Sequence, residues 1–130
     1  MSLSLSPFHF VLACLVLLTA QTSLASAQDS VQVAKGKEYY TQSCQQCHGA
    51  DGKRGEGFQT PIWGDGSLIA TKFGNAGALI DYMQIMPFND PALLDEAQKI
   101  AVVAYMLANH GAMPRNAELT RQDAASIPIK

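Results

Sequence analysis

Residues 44–48 read Cys44-Gln45-Gln46-Cys47-His48, a C-x-x-C-H run. Two thiols at this spacing with an imidazole directly after them form the attachment pattern for a c-type haem. The chemistry needs that order. Each thiol adds to one of the two vinyl groups on one haem edge, giving two thioethers, and the adjacent imidazole then reaches the iron from one face. Other readings account for less of the motif. A disulfide between Cys44 and Cys47 suits an oxidising compartment but leaves His48 without a role. Structural zinc takes four ligands, typically with a second C-x-x-C or a His pair, and the mature chain offers neither. A thioredoxin-type motif follows a strand in a βαβ setting, whereas a helical pattern precedes this one.

Outward from the motif, the chain reads as helices separated by loops. Residues 31–46 hold no proline and one glycine, Gly36, with Val33, Tyr40 and Cys44 spaced along one helical face. From 49 to 77 there are eight glycines and one proline, which predicts a long loop with little regular structure. Residues 78–84 suit a short helix that cannot continue through Met86-Pro87, because proline disfavours helical backbone at the residue before it. Asp95 and Gln98 form a capping-box pattern that opens the strongest helix, running to about Asn109. Ile100, Val103, Ala104 and Leu107 make its apolar stripe, and Gly111 and Pro114 lie at and beyond its end. The tail, 115–130, is expected to be irregular. The fold class that follows is all-α, with no alternating strand pattern. About 100 residues with long glycine-rich loops bury little surface by themselves, so a large buried prosthetic group accounts for a stable fold.

The first 27 residues have a different composition. They contain no Lys, Arg, Asp or Glu, and residues 8–20 (FHFVLACLVLLTA) form an apolar run of thirteen. Ala25-Ser26-Ala27 offers the small residues a signal peptidase cleaves. Residues 1–27 are therefore read as a signal peptide and 28–130 as one domain. The expected location is periplasmic, with cleavage near Ala27. The run is too short to span a bilayer, which takes about 20 apolar residues, so membrane anchoring is disfavoured. A retained anchor, and a lipoprotein site at Cys14, are the competing readings. The n-region lacks a basic residue and has only His9. With 130 residues there is room for one domain, and nine Lys and Arg against eleven Asp and Glu give a net charge of −2. That balance provides no basic field for nucleic acid.

The segment CQQCHGADGKRGEG, with Met86-Pro87-Phe88 downstream and AVVAYML in the last helix, resembles a class I cytochrome c over nearly all of residues 31–111. The resemblance implies N- and C-terminal helices crossing around a covalently bound haem c, with Gly36, Tyr40 and Tyr105 where the two helices meet. Core aromatics alone would also explain the two tyrosines. It implies His48 and Met86 as iron ligands. The carbonyl of Pro61, the one proline in the loop after His48, is implied as the hydrogen-bond partner of His48 Nδ1. Trp63 either packs on the haem with its indole on a propionate, or is a core aromatic. Met106 lies inside the strongest helix and Met113 just past it, so Met83 is the remaining alternative to Met86. Pro61-Ile62-Trp63-Gly64, residues 78–82 and Met86-Pro87-Phe88 resemble cytochrome domains of bacterial sulfur oxidation, namely thiosulfate dehydrogenase and SoxD-type sulfur dehydrogenase cytochromes. The stretch from Tyr82 to Met86 is one residue shorter than in those relatives, which keeps Met83 open.

Three functions are compatible with these residues. An electron carrier exchanging electrons with redox partner proteins, a dehydrogenase or a terminal oxidase, needs only what the sequence shows. A haem subunit of a periplasmic dehydrogenase complex, oxidising sulfur compounds, needs a partner chain, since no catalytic acid–base constellation is visible. A gas or peroxide site needs an open distal position. Lys53, Arg54 and Lys72 are expected as solvated surface or partner contacts, and His110 as a surface histidine at a helix end.

Overall fold

A computed structural model describes residues 28–130; the signal peptide reading of 1–27 lies outside the described residues. The regular structure among the described residues is helical. It comprises α1 (Val31–Ser43), α2 (Gln45–His48), α3 (Leu68–Lys72), α4 (Ala76–Met83), α5 (Glu96–His110) and α6 (Arg121–Ala124). No helix among these residues is long and apolar enough to cross a membrane.

The longest helices start where side chains can satisfy their free N–H groups. Ser30 caps α1 by accepting from the Val33 N–H. Asp95 and Gln98 form the expected reciprocal capping box at α5. Its C-terminal cap is Gly111 at φ 87°, in the left-handed region. Asn75 caps α4, accepting from the Ala78 N–H at 3.0 Å, so the helix starts two residues before the expected 78.

The frame is the crossing of α1 over α5. Gly36 makes it possible: a Cβ there would stand 1.9 Å from the Ala101 carbonyl oxygen and 2.9 Å from the Tyr105 Cβ. Four residues on, Tyr40 enters a cluster with Trp63 and Tyr105, at ring separations of 5.2 Å, 5.5 Å and 5.7 Å. These tilted and edge-on contacts are the arrangement aromatic quadrupoles favour. Gly52 sits against the cluster at φ 67°, where a Cβ would approach the Trp63 ring to 2.5 Å.

Two expectations need correction. The glycine-rich stretch contains α3, because Ser67 caps it and Leu68 and Ile69 can turn their apolar faces inward. The tail is ordered rather than irregular. Leu119, Ala124 and Ile129 are buried, and α6 is capped by Thr120. Backbone bonds from Ala76 to Ile127 and from Ile129 to Gly74 fasten the tail beside the start of α4. Its apolar residues are too widely spaced to show a helical period, so their burial is set by tertiary contact.

Candidate functional site

The end of α1 and the one-turn α2 carry Cys44, Cys47 and His48 to the wall of a cavity of about 490 Å³, a size suited to a small ligand or cofactor. Both thiols are free. Burial, and secondarily the neighbouring Cys47, push the Cys44 thiol up to about 11. Burial also lowers the His48 pKa. The imidazole is thus held neutral, the form that can ligate a metal. His48 Nδ1 is buried and has no hydrogen-bond partner among the described residues. The Phe58 ring lies 5.4 Å from the imidazole.

The loop is folded back on the motif by local bonds. The Tyr40 hydroxyl donates to the buried Gly49 carbonyl at 2.7 Å, and the Glu56 N–H donates to the Gln46 carbonyl at 3.1 Å. The remaining walls are mostly apolar and come from distant segments: Ile69 on α3, Leu79 on α4, Phe73 between them, and Met106 on α5. Met86 and Pro87 line the cavity from the loop after α4.

The structure therefore brings Cys44, Cys47, His48 and Met86 to one cavity, together with Met83 and Met106. Met83 and Met106 are buried within helices, whereas Met86 is half-buried in a loop. Met113 is buried but does not line the cavity. Pro61 and Trp63 are also absent from its lining. The Pro61 carbonyl accepts from the Leu68 N–H at 2.9 Å, and Trp63 belongs to the aromatic cluster behind Tyr40. His110 lies away from the cavity and is half-buried. Its Nδ1 accepts from the Gly64 N–H at 3.0 Å, and its Nε2 meets the Lys130 carbonyl at 2.9 Å. Lys53, Arg54 and Lys72 are exposed.

Tyr82 and Phe88 figured in the sequence only within the resemblance, and Phe58 and Lys99 carried no local signal. Phe58, Tyr82 and Phe88 are exposed aromatics at the cavity mouth, and Lys99, on α5, is buried.

A family model described as cytochrome c oxidase, cbb3-type, subunit III matches residues 31–106. The chain belongs to this family of c-type cytochromes. It is 33% identical to the thiosulfate dehydrogenase of Stutzerimonas stutzeri (strain A1501) over 95 residues, 67% of this chain. The aligned part is 30% of that relative's length. The sulfane dehydrogenase SoxCD of Paracoccus pantotrophus has a structure similar in fold, at a TM-score of 0.64 and 19% identity, covering 99% of this chain and 67% of that one. The cofactor of the family is covalently bound haem c.

The cavity of this cytochrome suits that group. Two thiols face it beside a neutral imidazole whose second nitrogen is free for an outer hydrogen bond, and thioether sulfurs border it. Sulfur and imidazole nitrogen are the donors haem iron takes in c-type cytochromes. The apolar walls would exclude water from the macrocycle.

Proposed function

We propose that this chain is an exported, periplasmic mono-haem cytochrome that passes single electrons. Cys44 and Cys47 would form the thioether links, and His48 and Met86 would ligate the iron. Haem c supplies reversible one-electron chemistry when bound. The chain's residues would hold it, keep it dry and supply both iron ligands, leaving no position on the iron for a substrate. The observation carrying this reading is the single cavity that gathers the C-x-x-C-H motif and Met86 from segments almost forty residues apart.

Among the methionines bordering the cavity, Met86 is the one that lies outside a helix. Met83 and Met106 are fixed by helices, where methionine commonly fills core gaps. A loop next to Pro87 can be aimed without unwinding an element. For His48, the buried Nδ1 calls for an acceptor that fixes the ring. The Pro61 carbonyl, with a second lone pair beyond that used by Leu68, is the proposed acceptor. Trp63 is assigned to the aromatic cluster, where it supports Tyr40.

A second reading is favoured by the likeness to a thiosulfate dehydrogenase. In it, this cytochrome is the haem-bearing unit of a sulfur-oxidising dehydrogenase, and its redox partners are the catalytic subunit and an acceptor protein. Co-purification from native periplasm separates a free carrier from a subunit: one travels alone and the other with a catalytic chain.

The ligand assignment is tested by Met86→Ala beside Met83→Ala. Thioether ligation raises the reduction potential relative to a bis-His haem. Met86→Ala is expected to lose the red absorption band of the ferric protein, lower its potential and admit cyanide. Met83→Ala is expected to keep all three properties. The opposite pattern would transfer the assignment to Met83.

A further inference from the structure

Among the described residues, Lys99 is the one charged side chain that is buried, at 4% exposure. It lies in the first turn of α5. Its Nζ donates to the Gln84 carbonyl at 3.0 Å and to the Pro91 carbonyl at 2.7 Å. An ammonium taken out of water needs compensating partners; here two carbonyl dipoles provide them. An apolar side chain would fill the same core position without that requirement, so packing alone does not explain a lysine here.

The two carbonyls begin and end residues 84–91. Between them, Met86, Pro87, Phe88 and Asn89 border the cavity. Among the described residues, the other hydrogen bonds of this segment are local. The Ile85 N–H donates to Tyr82, the Met86 N–H to Met83 and the Asp90 N–H to Pro87. The Gln84 side chain reaches back to the Ile80 carbonyl at 3.1 Å. Lys99 thus supplies the hydrogen bonds that tie the segment to α5. Charge-assisted bonds are about twice as strong as neutral ones, and closing a short loop at both ends removes most of its freedom to swing.

We propose that Lys99 is the positioning residue of the Met86 loop, its ammonium fastening both ends of residues 84–91 to α5 so that the Met86 thioether stays within reach of the iron. This rests on the assignment of Met86 as sixth ligand. Lys99 does not touch the cofactor and acts through the loop.

The test uses the holoprotein with Lys99→Met, which keeps the length of the apolar stem and removes the donors. Three quantities are read: the red band of the ferric form, the rate at which imidazole displaces the sixth ligand, and hydrogen exchange of residues 85–90 against that of α1 and α5. Lys99→Met is expected to weaken the band and to bind imidazole at least about ten-fold faster, the effect of losing even one charge-assisted bond from the closed loop. Exchange should rise in 85–90 while α1 and α5 keep their protection. If Lys99→Met fails to fold, Lys99→Gln, whose shorter amide spans at most one carbonyl, is expected to move the same quantities in the same direction. Wild-type imidazole binding and wild-type exchange in 85–90 would overturn the proposal, and so would uniform loss of protection across all helices. Met86→Ala, run in parallel, isolates the underlying assignment. If it retains the red band, the ligand reading fails, and Lys99 is judged on loop exchange alone, with unchanged exchange overturning its role.

Discussion

Tyr40 shows how much one side chain joins in this cytochrome. Its ring packs between Trp63 and Tyr105, and its hydroxyl donates to the Gly49 carbonyl, one residue past His48. Tyr40→Phe keeps the ring contacts and removes one of the two hydrogen bonds to the Gly49 carbonyl, which still accepts from the Gly52 N–H at 3.2 Å, so the expected loss is about 0.5–1.5 kcal/mol of stability. The phenol pKa is raised, chiefly by burial. A raised folded-state value means that the hydroxyl's contribution is complete below the ordinary tyrosine range and is lost only as pH rises through the folded value. Denaturant titrations of wild type and Tyr40→Phe are therefore expected to differ by a constant amount from about pH 6 to about pH 9. The gap should narrow only in strong alkali. A gap that closes at neutral pH would place the stabilisation elsewhere. At this scale the sequence was most readable where chemistry is contiguous: Cys44, Cys47 and His48 lie together, and Met86 is marked by Pro87. Lys99 was not readable, because a lysine on a helix ordinarily faces water. Its burial depends on carbonyls 8 and 15 residues away in the chain.

Among the elements, the crossing of α1 and α5 sets how far apart the cavity walls stand. Two effects oppose each other at Gly36. Alanine is the better helix former by about 1 kcal/mol. Against this, its methyl carbon would fall 1.9 Å from the Ala101 oxygen, and backbone on the facing helix has no rotamer to change. Overpacking of this kind costs about 1–3 kcal/mol or more, so separation of the helices wins. Gly36→Ala is expected to lower the denaturation midpoint of the holoprotein, while an exposed-face control such as Lys37→Ala leaves it nearly unchanged. A Gly36→Ala protein as stable as wild type would mean that the crossing tolerates a wider gap. The two long helices were legible from spacing and caps, Asp95 with Gln98 above all. The short α3 was not, since its five residues depend on Ser67 and on Ile69 finding the core. Likewise the cavity walls at Phe58, Tyr82 and Met106 converge from three segments with no shared local pattern.

At the scale of the molecule, the tail closes what the helices leave open. Asp29 and Arg115 pair through two hydrogen bonds, at 2.5 Å and 2.9 Å. Nearby, the Gln32 amide both donates to the Leu119 carbonyl and accepts from its N–H, at 2.8 Å and 2.7 Å. These contacts clasp the start of α1 to the tail. Further on, Leu119, Ala124 and Ile129 are buried at 2%, 0% and 6% exposure, and Arg121 reaches Asp81 on α4 and Glu96 on α5. Those ion pairs are exposed and contribute little, so the apolar anchors decide the outcome. Burying a leucine or isoleucine is worth about 1.5–3 kcal/mol each, so removing residues 118–130 is expected to cost roughly 3–6 kcal/mol through Leu119 and Ile129. For a domain of this size, 1 kcal/mol moves the melting temperature by about 4–8 °C. The truncated holoprotein should therefore melt at least about 12 °C below wild type. Because Leu119 and Ile129 do not line the cavity, its spectrum at low temperature should still be that of wild type. Unchanged melting would show that the tail rests on a core complete without it. A lost red band in the cold would instead make the tail part of what holds Met86 in place.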